Sequence, residues 1–434
     1  MKQHAPPVTP LSSEPRGYDV AIVGGGMVGA SLALALAQAP LAQPLRIGLF
    51  EAFTLPQHPE AELPPSYDAR ATALAYGSRQ LLEGLGVWGE LAPWAAPIAR
   101  IEVSDRGHFG ATRLSARREG VPALGYVVEN RRLGQALLAR IATHARITLH
   151  CPAAVTAAQT CPGGMQLRYG DAGDQLHTAQ AGLLVVADGG RSPLCQQLQL
   201  DQLERSYAQV ALIANLTLDR PHYGVAYERF TAEGPMALLP LGADADGAAR
   251  AALVWSVPLE EADAALRWSD AEFLRRLQQR FGYRAGCFLR VGERHNYPLK
   301  LARVREQSRR GLVVLGNAAH TLHPIAGQGF NLALRGALAL ADRLLSQRQQ
   351  GGDLGDPALL AAFVEAQRWD QDQTIGFSDG VTRLFSNNQP LAMVARNLGL
   401  LGLDLLPPLK HAFARSAMGL DQPLPRFLQE RTHG

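Results

Sequence analysis

Cysteine is scarce in this sequence, because the 434 residues include only Cys151, Cys161, Cys195 and Cys287. They form no CxxC pair and no metal-ligand spacing, so neither a disulfide framework nor a zinc site is expected. Disulfide reductases are excluded as well, since their chemistry needs a redox-active cysteine pair. Few cysteines are typical of a protein in the reducing cytoplasm.

Excess charge of either sign is also small. The net charge is +3, and the basic residues are scattered along the chain rather than clustered. Nucleic acid is therefore not expected as a partner. Residues 1–16 are rich in proline and serine and lack the apolar run of an export signal, which predicts a disordered tail on a cytoplasmic protein.

Long uncharged runs are few. The longest, from Val20 to Leu45, has the length of a membrane span, but residues 24–26 are glycines and Pro40 and Pro44 interrupt it. We therefore expect a buried strand and helix there. With 47% hydrophobic and 19% charged residues, the composition is typical of a globular protein, and the length allows two domains or one core with an inserted lobe.

The first motif is the glycine run in YDVAIVGGGMVGASLALALAQA, which predicts a strand, a turn and a helix. Gly24, Gly26 and Gly29 form GxGxxG, in which the glycines permit a tight turn, close approach of a pyrophosphate and helix–strand packing. The next strand ends at Glu51, where a carboxylate can accept hydrogen bonds from ribose hydroxyls. The pattern favours dinucleotide binding over a plain glycine turn and leaves NAD and FAD open.

Two later strands also end in glycine-bearing turns. ADGGRSPL places Asp188 after one strand, and VVLGNAAHTLHPIAGQGFN places Gly316 and Asn317 after another. Each turn alone could simply terminate a strand. Residues 316–334, however, combine three glycines and two histidines without any formal charge, and core packing does not explain that combination.

The two histidines of this stretch, His320 and His323, raise the question of a metal pair or a proton-transfer group. No carboxylate or cysteine nearby completes a ligand set, so no metal is predicted. His320 is a weak candidate for a catalytic base, and the alternative is a structural residue that holds the turn.

Between these motifs, residues 98–114 and 207–257 alternate as short strands do. They predict an antiparallel sheet inserted into an α/β framework. From Asp356 onward the pattern is helical, with Pro407 and Pro408 as an interruption.

The order of the three motifs over about 310 residues resembles the flavoprotein aromatic hydroxylases built like para-hydroxybenzoate hydroxylase. The marks of that family are GxGxxG, a central DGxxSxxR and a late GDAAHxxxPxxGxGxN. This sequence departs at two positions: Cys195 stands where the central motif ends in arginine, and Asn317 replaces the usual aspartate.

Longer blocks are similar to the ubiquinone-biosynthesis hydroxylases within that family: DARATALAYGS (68–78), LGYVVENRRL (124–133) and AYERFTAEGPMALLPL (226–241). The combination of GNAA with HPIAGQGFN resembles the branch that hydroxylates 2-polyprenyl-6-methoxyphenol at ring C1. The resemblance implies an α/β protein with a Rossmann-like FAD-binding domain, an inserted antiparallel-sheet substrate domain and a helical C-terminus.

The implied domain bounds follow from the positions of these blocks. The FAD-binding domain is expected to comprise residues 17–80, 120–200 and 300–355. The substrate domain is expected at 81–119 and 201–299, and the C-terminal helical region at 356–434.

The resemblance also implies cofactors and chemistry. FAD is the expected cofactor, and NAD(P)H and O2 are the expected co-substrates of an aromatic monooxygenase. A flavin C4a-hydroperoxide would hydroxylate a polyprenylated phenol in ubiquinone biosynthesis. The alternatives are a sister hydroxylase of different regiochemistry and a flavin-binding scaffold subunit without turnover.

The same resemblance assigns residues to the two ligands. In the family, the residue at Asn317 bonds the ribityl chain, and asparagine keeps an acceptor oxygen for that bond. The implied cofactor-binding residues are Gly24, Gly26, Gly29, Glu51, Arg70, Arg131, Asp188, Gly316, Asn317, Pro324, Gly327, Gln328, Gly329 and Asn331. The implied substrate-pocket residues are Leu239, Pro240 and Leu241.

Residues 391–420 are rich in leucine, with Arg396, Lys410 and Arg415 between the leucines. Such a segment suits a ubiquinone-biosynthesis partner protein or peripheral contact with a membrane surface. An ordinary helix pair packed on the core is the alternative.

Overall fold

The computed structural model describes residues 16–54, 70–108, 110–231, 234–244, 246–321, 327–385, 397, 399, 401–402 and 404–432. The predicted disordered tail lies outside these residues except for Arg16, and so do His323, Pro324 and Arg396.

The strands are β1 (Arg16–Val23), β2 (Ile47–Phe50), β3 (Ala71–Ala75), β4 (Ala96–Ile98), β5 (Arg100–Asp105), β6 (Ala111–Ser115), β7 (Gly125–Glu129), β8 (Ile147–His150), β9 (Ala154–Cys161), β10 (Gly164–Gly170), β11 (Leu176–Val186), β12 (Gln202–Leu218), β13 (Val225–Thr231), β14 (Gly234–Leu241), β15 (Arg250–Pro258), β16 (Phe288–Val291), β17 (His295–Val304), β18 (Ser308–Arg309), β19 (Leu312–Val314) and β20 (His320–Thr321).

The helices are α1 (Met27–Gln38), α2 (Tyr76–Gly84), α3 (Trp88–Leu91), α4 (Ala116–Glu119), α5 (Asn130–Ala142), α6 (Pro193–Gln197), α7 (Leu259–Arg267), α8 (Asp270–Phe281), α9 (Gln328–Gln349), α10 (Pro357–Phe385), α11 (Pro407–Ala417) and α12 (Arg426–Thr432). Short 3-10 turns occupy Ala92–Trp94 and Gly316–Ala318.

The first sheet has the strand order β18-β19-β11-β1-β2-β8, and the antiparallel pair β9 and β10 extends it beside β11. The strands β19, β11, β1, β2 and β8 are parallel to their neighbours. Central parallel strands are covered on both faces, which explains why Val20, Ala21 and Ile22 are fully buried in β1. Helix α1 packs against α5 and α9 and is buried along nearly its whole length. The uncharged run from Val20 to Leu45 is thus a core strand and a core helix, as predicted.

The second sheet carries nine strands, in the order β20-β17-β12-β15-β14-β13-β5-β6 with β16 beside β12. It is antiparallel except at the β13–β5 pair, so the predicted inserted antiparallel sheet is present with one parallel exception. Its two faces differ, and we name them by what covers them. Helices α7 and α8 cover the outer face, while a third sheet of order β3-β7-β4 and helix α11 cover the inner face.

The outer face is closed by a cluster that includes Trp255, Phe273 and Phe281. Apolar residues recur every four positions in α8, at Phe273, Leu277 and Phe281, which turns one stripe of the helix toward the sheet. Ser269 begins the helix by accepting a hydrogen bond from the Glu272 amide.

One predicted domain boundary falls inside a helix. Leu81, Leu85 and Leu91 pack in the same core as α1 and α9, because the leucines of α2 and α3 continue the apolar face begun before residue 81. Residues 81–91 therefore lie with the first sheet rather than with the inserted one. At the other end, the inserted sheet extends through Val304, the last residue of β17.

The C-terminal region is helical, as expected, but its two prolines have a different role. Pro407 and Pro408 occupy the first turn of α11, where the missing amide hydrogen costs nothing, so they begin a helix rather than interrupt one. Among the described residues, no helix combines the length and apolarity needed to cross a bilayer.

Candidate active site

The glycine-bearing motifs meet at one edge of the first sheet. Because β19, β11, β1 and β2 are parallel neighbours, the residues that follow them lie together at their carboxyl ends. Those residues are Gly316 after β19, Asp188 after β11, Gly24 after β1 and Glu51 after β2. Four predicted cofactor residues from distant parts of the chain are thereby brought together.

The GxGxxG turn leaves no room for side chains. Gly24 has φ +104°, and a Cβ there would collide with the Ala187 carbonyl. A Cβ at Gly29 would collide with the Gly24 carbonyl, which is the close helix–strand packing predicted from the sequence. Gly26 precedes α1 without any side-chain cap on the helix. The first-turn amides of α1 are therefore left for an anion, which fits a pyrophosphate.

Glu51 is buried at the end of β2 and is tied to this turn. Its Oε2 accepts a hydrogen bond from the Gly25 amide at 2.8 Å, and its Oε1 accepts one from the Phe53 amide at 2.9 Å. Burial raises the pKa of Glu51 above its ordinary value. Each carboxylate oxygen has a second lone pair, so the predicted bond to ribose hydroxyls is compatible with these contacts.

Asp188 presents an unsatisfied acceptor beside the same turn. Its Oδ2 accepts a hydrogen bond from Ser192 Oγ at 2.8 Å, whereas its buried Oδ1 has no partner among the described residues. Burial raises the pKa of Asp188 to about 6. A buried acceptor without a donor is costly, so it fits a ligand that brings a hydroxyl or N–H group.

The departure at Cys195 does not open the site. Its amide donates to Ser192 Oγ at 2.9 Å, which caps α6, and its side chain packs in an apolar cluster with Leu194 and Leu200. A thiol here fills core volume behind the Asp188 turn.

The two other residues of the late motif lie differently. Asn317 is exposed, and its backbone oxygen accepts a hydrogen bond from Thr321 Oγ1 at 3.1 Å, which leaves its side-chain amide available. His320 is buried, and burial lowers its pKa to about 4. It borders a cavity of about 10 Å³ together with Gln307, Gln367 and other residues on the α10 side. A neutral, buried imidazole there favours the structural interpretation over a catalytic base.

The stretch 327–331 begins α9 and forms the next wall. Gly327 has φ +60°, and a Cβ there would lie 3.0 Å from the Ala73 Cβ. Within the part of the chain that the structure describes, a Cβ at Gly329 would meet no heavy atom within 4 Å, so space lies beside that residue. Gln328, between them, is half-buried. A bare backbone next to open space fits a flat ring system.

Asn331 holds this wall in place rather than facing the space. It is 1% exposed, its Oδ1 accepts from the Ala75 amide at 2.8 Å, and its Nδ2 donates to the Ala73 carbonyl at 2.8 Å and the Gly327 carbonyl at 2.9 Å. Asn331 thereby fastens β3 to the start of α9. Among the predicted cofactor residues it is positioned to orient backbone, with both its hydrogens committed.

The two predicted arginines lie where the sheets meet. The Arg70 guanidinium stacks over the ring of Tyr297 in β17 at 4.4 Å. Arg131, in the first turn of α5, has Nη2 3.5 Å from Glu129 Oε2, and Glu129 also binds Arg250 of β15 at 3.1 Å. Both arginines thus border the junction between the three-stranded and the nine-stranded sheets.

The three predicted substrate residues divide between the two faces of β14. Leu239 and Leu241 belong to the inner-face cluster, which also contains Ala71 and Ala73 of β3. Pro240 is in register with Ala251, whose side chain packs in the outer cluster, so strand alternation turns Pro240 away from the inner face. The place of Pro240 in the ring pocket with its neighbours stays a prediction, and this register does not favour it for the side chain.

Sequence reasoning missed Glu228, which lies on the inner face of β13. Ala226, Glu228 and Phe230 alternate with Tyr227 and Arg229, so the carboxyl shares the buried face with Ala226. Burial raises the pKa of Glu228 to about 8. A glutamate at an inward position of an alternating strand was the signal available in AYERFT.

Comparisons with known proteins agree with this geometry. A family model described as the FAD binding domain matches residues 17–366. The ubiquinone hydroxylase UbiL of Rhodospirillum rubrum is 35% identical over 418 residues, covering 95% of this chain and 92% of that protein. The 3-demethoxyubiquinol 3-hydroxylase of Escherichia coli is 31% identical over 426 residues, covering 93% of this chain and 98% of that protein.

A solved structure supports the same fold. The p-nitrophenol 4-monooxygenase PnpA of Pseudomonas putida aligns with a TM-score of 0.75 at 16% identity, covering 94% of this chain and 100% of that one. The predicted fold class is therefore confirmed. With the family model, the relatives and the cofactor-shaped edge of the first sheet in agreement, the chain belongs to the FAD-dependent hydroxylases of ubiquinone biosynthesis and is an aromatic monooxygenase.

Proposed function

We propose that this protein hydroxylates 2-polyprenyl-6-methoxyphenol at ring C1, using FAD, NAD(P)H and O2. The observation that carries the proposal is the inner face of the nine-stranded sheet, which packs on β3 beside the glycine-lined start of α9. It is apolar at Leu239 and Leu241, and it reaches β3, which contacts Gly327. The match of GNAA and HPIAGQGFN to the ring C1 branch supports the choice of substrate.

The chain would hold FAD through the edge of the first sheet. The α1 amides behind Gly26 would bind the pyrophosphate, and Glu51 would accept ribose hydroxyls. Asp188 Oδ1 would accept a hydrogen bond from the cofactor, which would satisfy this buried acceptor. When bound, FAD takes electrons from NAD(P)H and transfers one oxygen atom of O2 to the substrate.

Other residues would orient the cofactor and shield the substrate ring from water. Arg70 and Arg131 border the junction of the sheets, where a guanidinium can bind phosphate or ribityl oxygens. Asn317 would donate or accept toward the ribityl chain from its exposed amide. Leu239 would pack on the substrate ring and exclude water from it.

A polyprenyl tail requires an apolar exit, and the C-terminal helices offer one surface for it. Leu405, Leu406 and Leu409 are more than half exposed, and α11 packs on the inner-face cluster through Ala414 and Met418. This surface suits a bilayer or a partner protein of the pathway. Lys410 was expected to contribute to this surface, but it is buried and its Nζ lies 2.7 Å from Asp404 Oδ1.

The second candidate is hydroxylation of a different ring position of a polyprenylated phenol. It is favoured by the similarity to the E. coli 3-demethoxyubiquinol 3-hydroxylase, which extends over nearly the whole length of both proteins. Product regiochemistry separates the two.

The cofactor part of the proposal is tested by Gly24→Val. Its side chain would collide with the Ala187 carbonyl, so we expect purified protein without yellow colour and without FAD retention. Gly242→Val is the matched control, since a Cβ there meets no heavy atom within 4 Å. Retention of FAD by Gly24→Val at the wild-type level would contradict the assignment of this turn.

The substrate part is tested by mass spectrometry of quinone precursors in cells lacking this protein. Accumulation of 2-polyprenyl-6-methoxyphenol supports hydroxylation at ring C1. Accumulation of an earlier or later precursor contradicts it in favour of another ring position. Purified protein that binds FAD but oxidises NAD(P)H no faster with any prenylated phenol would instead indicate a scaffold subunit.

A further inference from the structure

Glu228 occupies the middle of a row of residues that crosses the inner face of the nine-stranded sheet. It is in register with Val103 on β5 and with Ala237 on β14. The row continues from Ala237 to Val254 and then to Ile213. Residues in register on neighbouring strands share a face, so Glu228 is the one carboxyl in a row that is otherwise apolar from Val103 to Ile213.

The Glu228 side chain is only partly covered by the rest of the protein. Glu228 is half-buried, as are Val103, Val254 and Ile213 in the same row. Part of each of these side chains is therefore open to a molecule that binds on this face. The adjacent row on this face carries Leu239, the predicted substrate residue.

Glu228 makes no hydrogen bond or ion pair within the described part of the chain. Ionisable groups on the surrounding strands and helices are bound to other side chains: Asp105 to Asn397 and His108, Asp404 to Lys410, Asp379 to Tyr207, Glu129 to Arg250, and His295 to Glu293. Burial alone raises the Glu228 pKa, with no contribution from these groups. A carboxyl without a partner in an apolar wall is costly to keep, so it points to a ligand that supplies one.

We propose that Glu228 is the catalytic base that binds the phenolic hydroxyl of the substrate and accepts its proton during hydroxylation; this inference rests on the proposed function. The substrate O–H bond breaks and its proton bonds to a carboxylate oxygen of Glu228. The electron pair left on the phenolic oxygen then raises electron density on the ring carbon that receives the oxygen atom. The proton returns to solvent when product leaves.

The position of Glu228 suits this step better than a surface carboxylate would. A base with a pKa near 8 is closer to a phenol in proton affinity than an ordinary glutamate, so the transfer is less uphill. Val103 and Ala237, in register on either side of it, are apolar and do not compete for its oxygens. Only the ionised form accepts a proton, so the step should accelerate as pH rises toward and past 8.

The first test compares the FAD-bound wild type with Glu228→Gln, and with Glu260→Gln as control, because Glu260 is exposed in the first turn of α7 on the other face. We expect Glu228→Gln to retain FAD and its reduction by NAD(P)H. Product formation from a prenylated phenol should fall by about 100-fold or more, and its increase with pH around 8 should vanish. Glu260→Gln should match the wild type in each respect.

The second test measures the ionisation of a bound phenol in the absence of turnover. A 4-nitrophenol carrying a short prenyl chain is titrated with pH while bound to each oxidised holoenzyme, and its visible absorption reports the phenolate. With Glu228 present to hold the proton, the bound probe should ionise about one pH unit lower than in Glu228→Gln.

The outcomes separate this inference from the function on which it rests. If Glu228→Gln matches an active wild type in turnover, pH dependence, probe binding and probe ionisation, the role of Glu228 is overturned. The proposed function is then unaffected. A wild type that neither binds the probe nor oxidises NAD(P)H faster with a prenylated phenol would overturn the proposed function.

Discussion

The two faces of the nine-stranded sheet are packed differently, although the strands that form them follow the same alternating pattern of residues. On the outer face, Trp255, Phe273 and Phe281 are at most 1% exposed and close a core under α7 and α8. On the inner face, Leu239 and Glu228 are only half-buried. Large aromatic rings pack on the outer face, whereas the inner face carries Leu239 and the unpaired carboxyl of Glu228.

The proposed function accounts for this difference: the outer face stabilises the fold, and the inner face is the proposed binding surface. Filled apolar volume contributes stability in proportion to the surface removed from water. An unpaired carboxyl in an apolar row has the opposite effect, and groups with perturbed pKa values are concentrated at functional sites. Substitutions on the two faces should therefore separate folding from activity.

The largest effect is expected at Trp255 on the outer face. Trp255→Ala removes a side chain that is 1% exposed and packs against Phe273 at 5.5 Å between ring centroids, so it should lower the free energy of unfolding by about 3–5 kcal/mol. Chemical denaturation measures this. In the fraction that stays folded, affinity for a prenylated phenol should be unchanged, and a loss of that affinity would break the assignment of the outer face to folding.

Leu238 and Leu239 provide a neighbouring pair on opposite faces. Leu238→Ala should cost about 2–5 kcal/mol of stability because Leu238 is 2% exposed in the outer cluster. Leu239→Ala should cost less than about 1.5 kcal/mol, since its side chain is only partly buried. It should instead raise the fraction of NAD(P)H oxidation that yields hydrogen peroxide rather than hydroxylated product, because water then reaches the reacting ring. Equal stability losses without such uncoupling would contradict the comparison.

Glu228→Gln should make the protein more stable while it loses activity. The folded pKa of about 8 lies above that of an unfolded glutamate, so the folded state binds more protons and its stability falls as pH rises from about 4.5 to 8. Removing the charge should therefore add about 1–3 kcal/mol at pH 8, after allowance for the partial accessibility of the side chain. Thermal unfolding as a function of pH measures this, and an unchanged slope between wild type and variant would refute it.

The smallest effect is expected at His320, in the edge strand β20 of this sheet. Its folded pKa of about 4 is below the ordinary value of 6.5, so the unfolded state binds the proton more tightly and stability is lost as pH falls from about 6.5 to 4. His320→Gln should flatten that acid loss by about 1–2 kcal/mol at pH 5 and leave the coupling of NAD(P)H oxidation to product unchanged. Strong uncoupling in this variant would restore His320 as a catalytic candidate.

The fold and the edge of the first sheet were predictable because local spacing determines them. A strand followed by glycines and a helix indicates a βαβ unit, and parallel strands bring their carboxyl ends together wherever they occur in the chain. Gly24, Asp188 and Gly316 are therefore found near one another although they are far apart in sequence.

The errors and omissions share one physical cause, which is long-range contact. Asn331 bonds the Ala75 amide from 256 positions away, so no local pattern shows that it clamps backbone. Lys410 is buried by Asp404 only once α11 is packed on the inner-face cluster. Pro240 and Glu228 depend on which side of a strand faces the junction, and alternation alone does not say which face has space beside it.

The most direct measurement is a crystal structure of the FAD complex with a short-chain prenylated methoxyphenol. Our account predicts that the ring lies on the inner face, against Leu239, with its hydroxyl within hydrogen-bond distance of Glu228 and the glycines at 327 and 329 behind the flavin. A ring bound on the outer side of the sheet, or an inner face closed by its own side chains with FAD in place, would contradict it.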